Sequence, residues 1–279
     1  MTTKHVLITG TTSGIGLGLL EHFARKGVRI TAVNRRVDRA WSTPYPQVAS
    51  QCLDVRDAAA IKNLIWALAK AGELPDLFIL NAGINRLDND SALNLEQFRE
   101  VLETNFLGVL NFVAPLTELK AWPHRIKVVA ISSVTNYIGN PYCLSYYISK
   151  KALTESFEIF AAMYCKTNLR FQWVVLGPVP SGIYATSENF PKIMVRIKEI
   201  FTVSLDRAVH VIAEFSQSDR RRLIFPMRAY FLVQGMRLLR FLIPGFYRGK
   251  KTLGGQERGV GQPESPEKQR KEAVSNEQR

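Results

Sequence analysis

The stretch HVLITGTTSGIG, residues 5–16, runs from an apolar segment through a glycine-rich turn into a helix-like segment. Its first half, His5–Thr9, is short, apolar and rich in β-branched residues, which reads as a strand buried on both faces. Glycine at 10, 14 and 16 lets the backbone turn tightly, approach a ligand closely and pack helix against strand. The helix that follows offers free N–H groups and a positive dipole end, the arrangement that binds a pyrophosphate. Gly10, Thr12, Ser13, Gly14, Ile15 and Gly16 are therefore candidate phosphate contacts. A plain tight turn explains the same glycines when this stretch is read alone.

Outward from this turn, strand-like runs alternate with helix-like ones. The strands are His5–Thr9, Val28–Asn34, Val48–Leu53, Asp76–Asn81, Ile126–Ser132 and Arg170–Leu176. Between them lie helical patterns at Ile15–Lys26, Ala58–Ala71, Leu95–Trp122 (with a break expected near Pro115) and Ser145–Cys165. Such alternation predicts an α/β fold: a doubly wound parallel sheet of the Rossmann type, with ligands at the carboxyl ends of its strands. A further helix, Leu205–Ser216, and a short last strand, Leu223–Phe225, close the pattern before Pro226. Residues 1–226 thus read as one nucleotide-binding domain. Residues 227–249 read as a basic, apolar C-terminal helix, and 250–279, almost free of apolar residues, as a disordered tail.

Composition narrows the class. With 46% hydrophobic and 22% charged residues over 279 positions, the chain is ordinary globular protein. Three scattered cysteines make neither a disulfide framework nor a zinc site, and no metal is expected. The sequence MTTKHVLITG enters a strand directly, without the apolar stretch of a secretory leader, so a cytoplasmic location is expected. A net charge of +13 admits nucleic acid, an anionic membrane or a phosphate-rich ligand as partner, besides plain solvated charge. No zinc-finger spacing or RNA-recognition signature is present, and no nucleic-acid partner is expected. Met227–Ile243 is too short and too rich in arginine to span a bilayer. Two readings of its apolar stripe, Phe231, Leu232, Leu238, Leu239 and Leu242, stand side by side: packing on the protein, or weak peripheral attachment to an anionic membrane through Arg237 and Arg240.

A second motif lies at Tyr146-Tyr147-Ile148-Ser149-Lys150. Four-residue spacing puts a tyrosine and a lysine on one helix face, about 6 Å apart along the axis. An ammonium beside a phenol favours the phenolate, and such a tyrosine can exchange a proton with an alcohol or carbonyl oxygen. Tyr147 and Lys151 share the spacing, so the residues alone leave the register open.

The motifs occur in a fixed order: the glycine turn, Asn81-Ala82-Gly83 after the fourth strand, Asn105, Ser132-Ser133 after the fifth, Tyr146/Lys150, and Gly177-Pro178-Val179 after the sixth. In this order the chain resembles the short-chain dehydrogenase/reductase family over roughly residues 4 to 225. The family's Tyr-x-Ala-Ser-Lys matches Tyr146 to Lys150, which selects that register. The resemblance implies that Tyr146 is the general acid or base and that Lys150 acts on it and holds the nicotinamide ribose. It implies that Ser133 bonds the substrate oxygen and that Asn105 anchors a proton path to the lysine. It further implies contacts from Asn81, Ala82, Gly83, Gly177, Pro178, Val179 and Ser181 to the cofactor, from Asp54 and Val55 to adenine, and assembly as a homodimer or homotetramer. One departure stands out: the family's Pro-Gly after the sixth strand is Leu176-Gly177 here.

Cofactor choice is read at the end of the second strand. An acidic residue there would accept the ribose hydroxyls of NAD. This chain has Asn34 followed by Arg35 and Arg36, suited to a 2′-phosphate, so NADP is favoured over NAD. The expected substrate pocket, Tyr137, Ile138, Tyr142, Cys143, Tyr184, Phe190, Ile193 and Met194, is apolar and aromatic. The expected activity is hydride transfer between nicotinamide and a hydrophobic carbonyl or alcohol. The competing expectation is a non-catalytic NADP-sensing scaffold of the same fold that binds a partner protein.

Overall fold

The computed structural model describes residues 3–36, 44–86, 93–119, 121–137, 143–180 and 201–242, with side chains up to Gly235. The seven strands are β1 (His5–Thr9), β2 (Arg29–Asn34), β3 (Val48–Cys52), β4 (Leu77–Leu80), β5 (Ile126–Ser133), β6 (Leu169–Leu176) and β7 (Arg222–Phe225). They form one sheet in the order β3-β2-β1-β4-β5-β6-β7, every pair parallel. Winding outward in both directions from β1 and β4 is the doubly wound arrangement expected from the alternation of runs, and it leaves a crevice above their carboxyl ends.

Side chains alternate across each strand, and both faces are covered. Leu7, Phe78, Val128 and Ala130 point to one face, where they pack with α2 (Ala58–Lys70), α4 (Gly108–Glu118) and α5 (Leu144–Met163). Val6, Ile8, Ile79 and Val129 point to the other, against α1 (Gly14–Arg25) and α6 (Leu205–Gln217). Ser13, Asp57, Asn94 and Ser204 stand at the N-caps of α1, α2, α3 (Leu95–Leu102) and α6; all but Ser13 bond a first-turn N–H with their side chains.

Two sequence expectations are corrected here. The long helical pattern does not break at Pro115, which lies inside α4. It is interrupted instead by a π-helical turn, Glu103–Leu107, between α3 and α4. The turn coincides with Asn105, whose side chain leaves the helix to bind the backbone of Ile84. The second correction concerns α7 (Met227–Leu242). Its inward residues are Ala229 and Val233, which join the core beneath the 3-10 turn Val134–Tyr137, while Phe231 is 66% exposed. The helix therefore packs on the fold through Ala229, Val233 and Tyr230 rather than through Phe231, and one compact unit extends to Leu242. Tyr230 fixes the contact, its ring 5.0 Å from that of Tyr137 in an edge-on arrangement. The side chains of Leu238, Leu239, Leu242, Arg237 and Arg240, and the whole 250–279 tail, lie outside the description. No helix among the described residues is long and apolar enough to cross a membrane.

Candidate active site

The glycine turn begins where β1 ends. Gly10 has φ +71° and Gly14 φ +55°, both in the left-handed region that other residues avoid. A Cβ on Gly10 would meet the Ala82 backbone at 3.0 Å, and one on Gly16 would collide with the Gly10 carbonyl oxygen. Asn81 ties this turn to β4: its Nδ2 donates to the carbonyls of Thr9 and Gly10, at 3.2 and 3.1 Å. Thr9 Oγ1 accepts from the N–H groups of Asn81 and Ala82 at 3.0 and 2.9 Å, a clamp that sequence reasoning missed. Its signal was a hydroxyl on the last residue of an otherwise apolar strand.

Asn34 has turned inward. It is buried, accepts the Thr11 N–H at 2.7 Å and donates to Thr11 Oγ1 at 2.9 Å, so it braces the turn from β2. A cavity of about 290 Å³ opens in front of these elements. Its wall contains Gly10, Thr12, Ser13, Gly14, Ile15, Asn34, Arg35, Arg36, Asp54, Val55, Asn81, Ala82 and Gly83, all candidates from the sequence, with Val33, Ile84 and Thr104 in addition. The start of α1 has no side-chain cap and no acidic residue in its first turn. Its free N–H groups and positive end therefore face the cavity unneutralised. Arg35 and Arg36 are exposed at the rim. Asp54 is gripped by Arg56, with Nη2 at 2.7 Å, and that guanidinium holds its carboxyl below the usual carboxylate range. These features fit a dinucleotide: a glycine turn for the pyrophosphate, cations for further phosphate and a carboxylate at the far end.

The polar cluster stands beside this cavity. Lys150 and Tyr146 project from the first turns of α5, both buried, with the ammonium 5.7 Å from the phenol ring centre. Lys150 Nζ donates to the Ile131 carbonyl at 2.8 Å, and burial lowers its pKa from 10.5 to about 8. Asn105 Oδ1 accepts from the Ile84 N–H at 2.7 Å; its Nδ2 donates to the Ile84 carbonyl at 2.8 Å and to Ser149 Oγ at 3.1 Å. Ser149 in turn donates to the Tyr146 carbonyl at 2.8 Å. A Cβ on Gly83 would stand 3.2 Å from Asn105 Oδ1 and 3.6 Å from Lys150 Nζ, so the cavity wall and the lysine nearly touch. π-Turns inside helices recur at functional sites, and this one delivers Asn105 into the cluster.

The strand period separates the two serines at the end of β5. Ser132 Oγ donates to the Lys150 carbonyl at 3.2 Å and pairs with Thr154 at 2.7 Å, which makes it a tie between sheet and α5. Ser133 lies on the opposite side of the strand, its Oγ accepting only a long bond, 3.3 Å, from the Thr135 N–H among the bonds described. The post-β6 candidates pack beside the end of β7. The Gly177 N–H donates to the Phe225 carbonyl at 2.7 Å, a Cβ there would meet Pro226 at 2.7 Å, and Pro178 accepts from the Val203 N–H at 2.9 Å. Glycine at 177 thus admits the β7–α7 junction. Gly177, Pro178 and Val179 do not line the cavity. Ser181, Ile138, Tyr142, Tyr184, Phe190, Ile193 and Met194 lie outside the described residues.

Comparison with known proteins agrees with this geometry. The family model for short chain dehydrogenases matches residues 4–191. An uncharacterized oxidoreductase of Myxococcus xanthus is 31% identical over 198 residues, covering 68% of this chain and 78% of that protein. A short chain dehydrogenase from Burkholderia cenocepacia, solved in complex with NADP, superposes with a TM-score of 0.66 at 22% identity, covering 85% of this chain and 94% of its own. One from Burkholderia phymatum, in complex with NAD, gives 0.68 at 18% identity, with 86% and 94% covered. The chain belongs to the short-chain dehydrogenase family and is an oxidoreductase of that family.

Proposed function

We propose that the chain is an NADPH-dependent reductase, or the reverse alcohol dehydrogenase, acting on a hydrophobic carbonyl with Tyr146 as general acid. The observation that carries this reading is the buried Tyr146–Lys150 pair, adjoining Asn105 and the cavity wall at Gly83. When bound, the nicotinamide supplies or accepts the hydride. Tyr146 donates the proton to the carbonyl oxygen, and Ser133 donates a hydrogen bond to the same oxygen. Lys150, held by the Ile131 carbonyl, keeps a positive charge beside the phenol and so favours the phenolate left after transfer. Asn105 and Ser149 hold the first turn of α5 in register with Ile84. Tyr137 and Cys143 favour an apolar substrate: Tyr137 is half-buried against Tyr230, and Cys143 is buried in a cluster with Val101 and Tyr146.

The test is NADPH consumption across a panel of ketones, aldehydes and acyl-linked keto compounds. Turnover of apolar members supports the reading, and a panel bound without any turnover favours the sensing scaffold. A pH dependence follows from the lysine. The free enzyme carries the Lys150 charge below about pH 8 and loses it as pH rises through that value. Hence kcat/KM for NADPH, which reports the free enzyme, should be level below about pH 8 and fall above it. Lys150→Arg, which stays charged, should remove the fall whatever its absolute rate.

NADP is the proposed cofactor. Arg35 and Arg36 stand on the cavity wall where β2 ends, and no carboxylate follows Asn34 in the described segment. One arginine–phosphate contact should give at least a tenfold preference for NADP over NAD, about 1.4 kcal/mol. Arg35→Asp combined with Arg36→Ser should erase it in titrations of the two cofactors, and equal binding by the wild type would overturn the assignment.

A further inference from the structure

A second, smaller cavity lies at the opposite end of the sheet, away from the glycine turn. It has a volume of about 150 Å³, and its charged and polar lining is Arg125, Lys127, Arg170, Gln172, Asp219 and Arg221. Arg125 immediately precedes β5 and Lys127 is its second residue; Arg170 and Gln172 lie at the start of β6. Asp219 and Arg221 come from the connection between α6 and β7. Along β5, at about 3.3 Å per residue, the lining residue Lys127 stands about 20 Å from Ser133, and Gln172, in register with Val129, about 13 Å.

Four cations share this wall with one carboxylate. Lys127 and Arg170 are direct partners in the parallel register of β5 and β6, so two positive side chains stand side by side on one face. Like charges in that position repel unless something neutralises them. Part of the compensation is internal. Asp219 pairs with Arg125 at 2.9 Å and lies 3.6 Å from Lys127, whose Nζ also donates to the carbonyls of Gln217 and Ser218 at 2.8 and 2.7 Å. Arg170 donates to carbonyls at the end of α5 and just beyond it, those of Tyr164 and Thr167. The compensation is incomplete. Asp219 is 70% exposed at its side chain, and Arg221 has no ion pair among those described. Two buried polar atoms in the lining residues lack a partner: a donor, Arg125 Nε, and an acceptor, Gln172 Oε1. Desolvated polar atoms of this kind are rare and costly.

We propose that this cavity binds a phosphate group, free or as a phosphomonoester. Such a group offers oxygens to the arginines and, through its own P–OH or a neighbouring hydroxyl, a donor for Gln172 Oε1. The volume, about five times the 30 Å³ share of one water, takes a phosphate head and leaves the rest of a larger ligand outside.

The probe is inorganic phosphate, titrated calorimetrically into the full-length protein. Arg221→Gln, an exposed side chain, should weaken binding about tenfold, the loss of one charge-assisted contact. Arg125→Gln with Arg221→Gln should weaken it further. Asp219→Asn removes the competing carboxylate and should tighten binding several-fold, a direction that damage to the fold would not give. With the first cavity filled by saturating NADPH throughout, Arg35→Ser with Arg36→Ser, at the other end of the sheet, should leave the phosphate binding that remains unchanged. Sedimentation with phosphatidylcholine vesicles, with and without phosphatidic acid, separates the sources. Uptake that needs phosphatidic acid and is lost in Arg221→Gln assigns the phosphate to a lipid, and titration without sedimentation assigns it to a soluble phosphomonoester. The proposal falls if wild type takes up no phosphate, or if binding responds to Arg35 and Arg36 but not to Arg221 and Asp219.

Discussion

Tyr146→Phe should lower kcat for carbonyl reduction by about 10²- to 10⁴-fold, the range that a positioned general acid contributes. The substitution removes one oxygen and leaves the ring. That ring is buried with Val101 and Cys143 against Ile84, so the packing that holds the start of α5 survives. Lys150 remains on the Ile131 carbonyl and Asn105 on Ile84, because neither bond uses the phenol. NADPH binding should accordingly stay within a few-fold of wild type, measured by fluorescence titration, while single-turnover reduction slows. Near-normal turnover in the variant would move the proton donor to another group.

The second large effect is expected from one methyl group. Gly16→Ala places a Cβ on the Gly10 carbonyl oxygen and 2.7 Å from Asn81 Nδ2. Neither neighbour can retreat easily: Gly10 is tied through its N–H to the Val33 carbonyl at 2.9 Å, and Asn81 bonds the Thr9 and Gly10 carbonyls. The first turn of α1 must move instead, and with it the N–H groups that face the phosphate cavity. Displacements on the order of 1 Å at a positioning element cost about 10²-fold. KM for NADPH should rise by about that factor, with a melting temperature lowered by several degrees. An unchanged KM would mean that this helix start does not hold the cofactor.

Much of this molecule was legible because period-2 and period-3.6 patterns, and glycine where backbones meet, are local signals. The alternation of apolar runs carried the doubly wound sheet, and every described turn and strand-end candidate from Gly10 to Gly83, apart from Gly16, came to one cavity wall. Gly16 lies one residue inside the helix, and its absent side chain is what the turn needs. Three things were hidden because they depend on partners far along the chain. The helix interruption at Asn105 answers to the backbone of Ile84, twenty-one positions away, whereas Pro115 looked like the local break. Asn34, read with Arg35 and Arg36 as part of the cofactor site, also braces Thr11 across the β1–β2 pair, a second task that spacing does not show. Gly177, expected as a cofactor contact, also makes room for Pro226, which follows β7 nearly fifty residues later. In each case the residue type was chosen by a neighbour that sequence spacing does not reveal.

The order of the strands also sets which parts of the site open first. β5 is flanked on both sides and buried at all but one position, whereas β3 is one of the two sheet edges, with most of its side chains in contact with water. Ser133 therefore hangs from a strand whose amides should exchange with deuterium only in rare, near-global openings, while Asp54 and Val55 follow one that frays readily. A ligand spanning both ends should slow exchange at β3 and at residues 53–57, where it closes local fraying, and at β5 as well, whose near-global openings must first release the ligand. On the proposed roles, the chemistry would stand on an interior strand and recognition of the far end of the ligand on an edge strand.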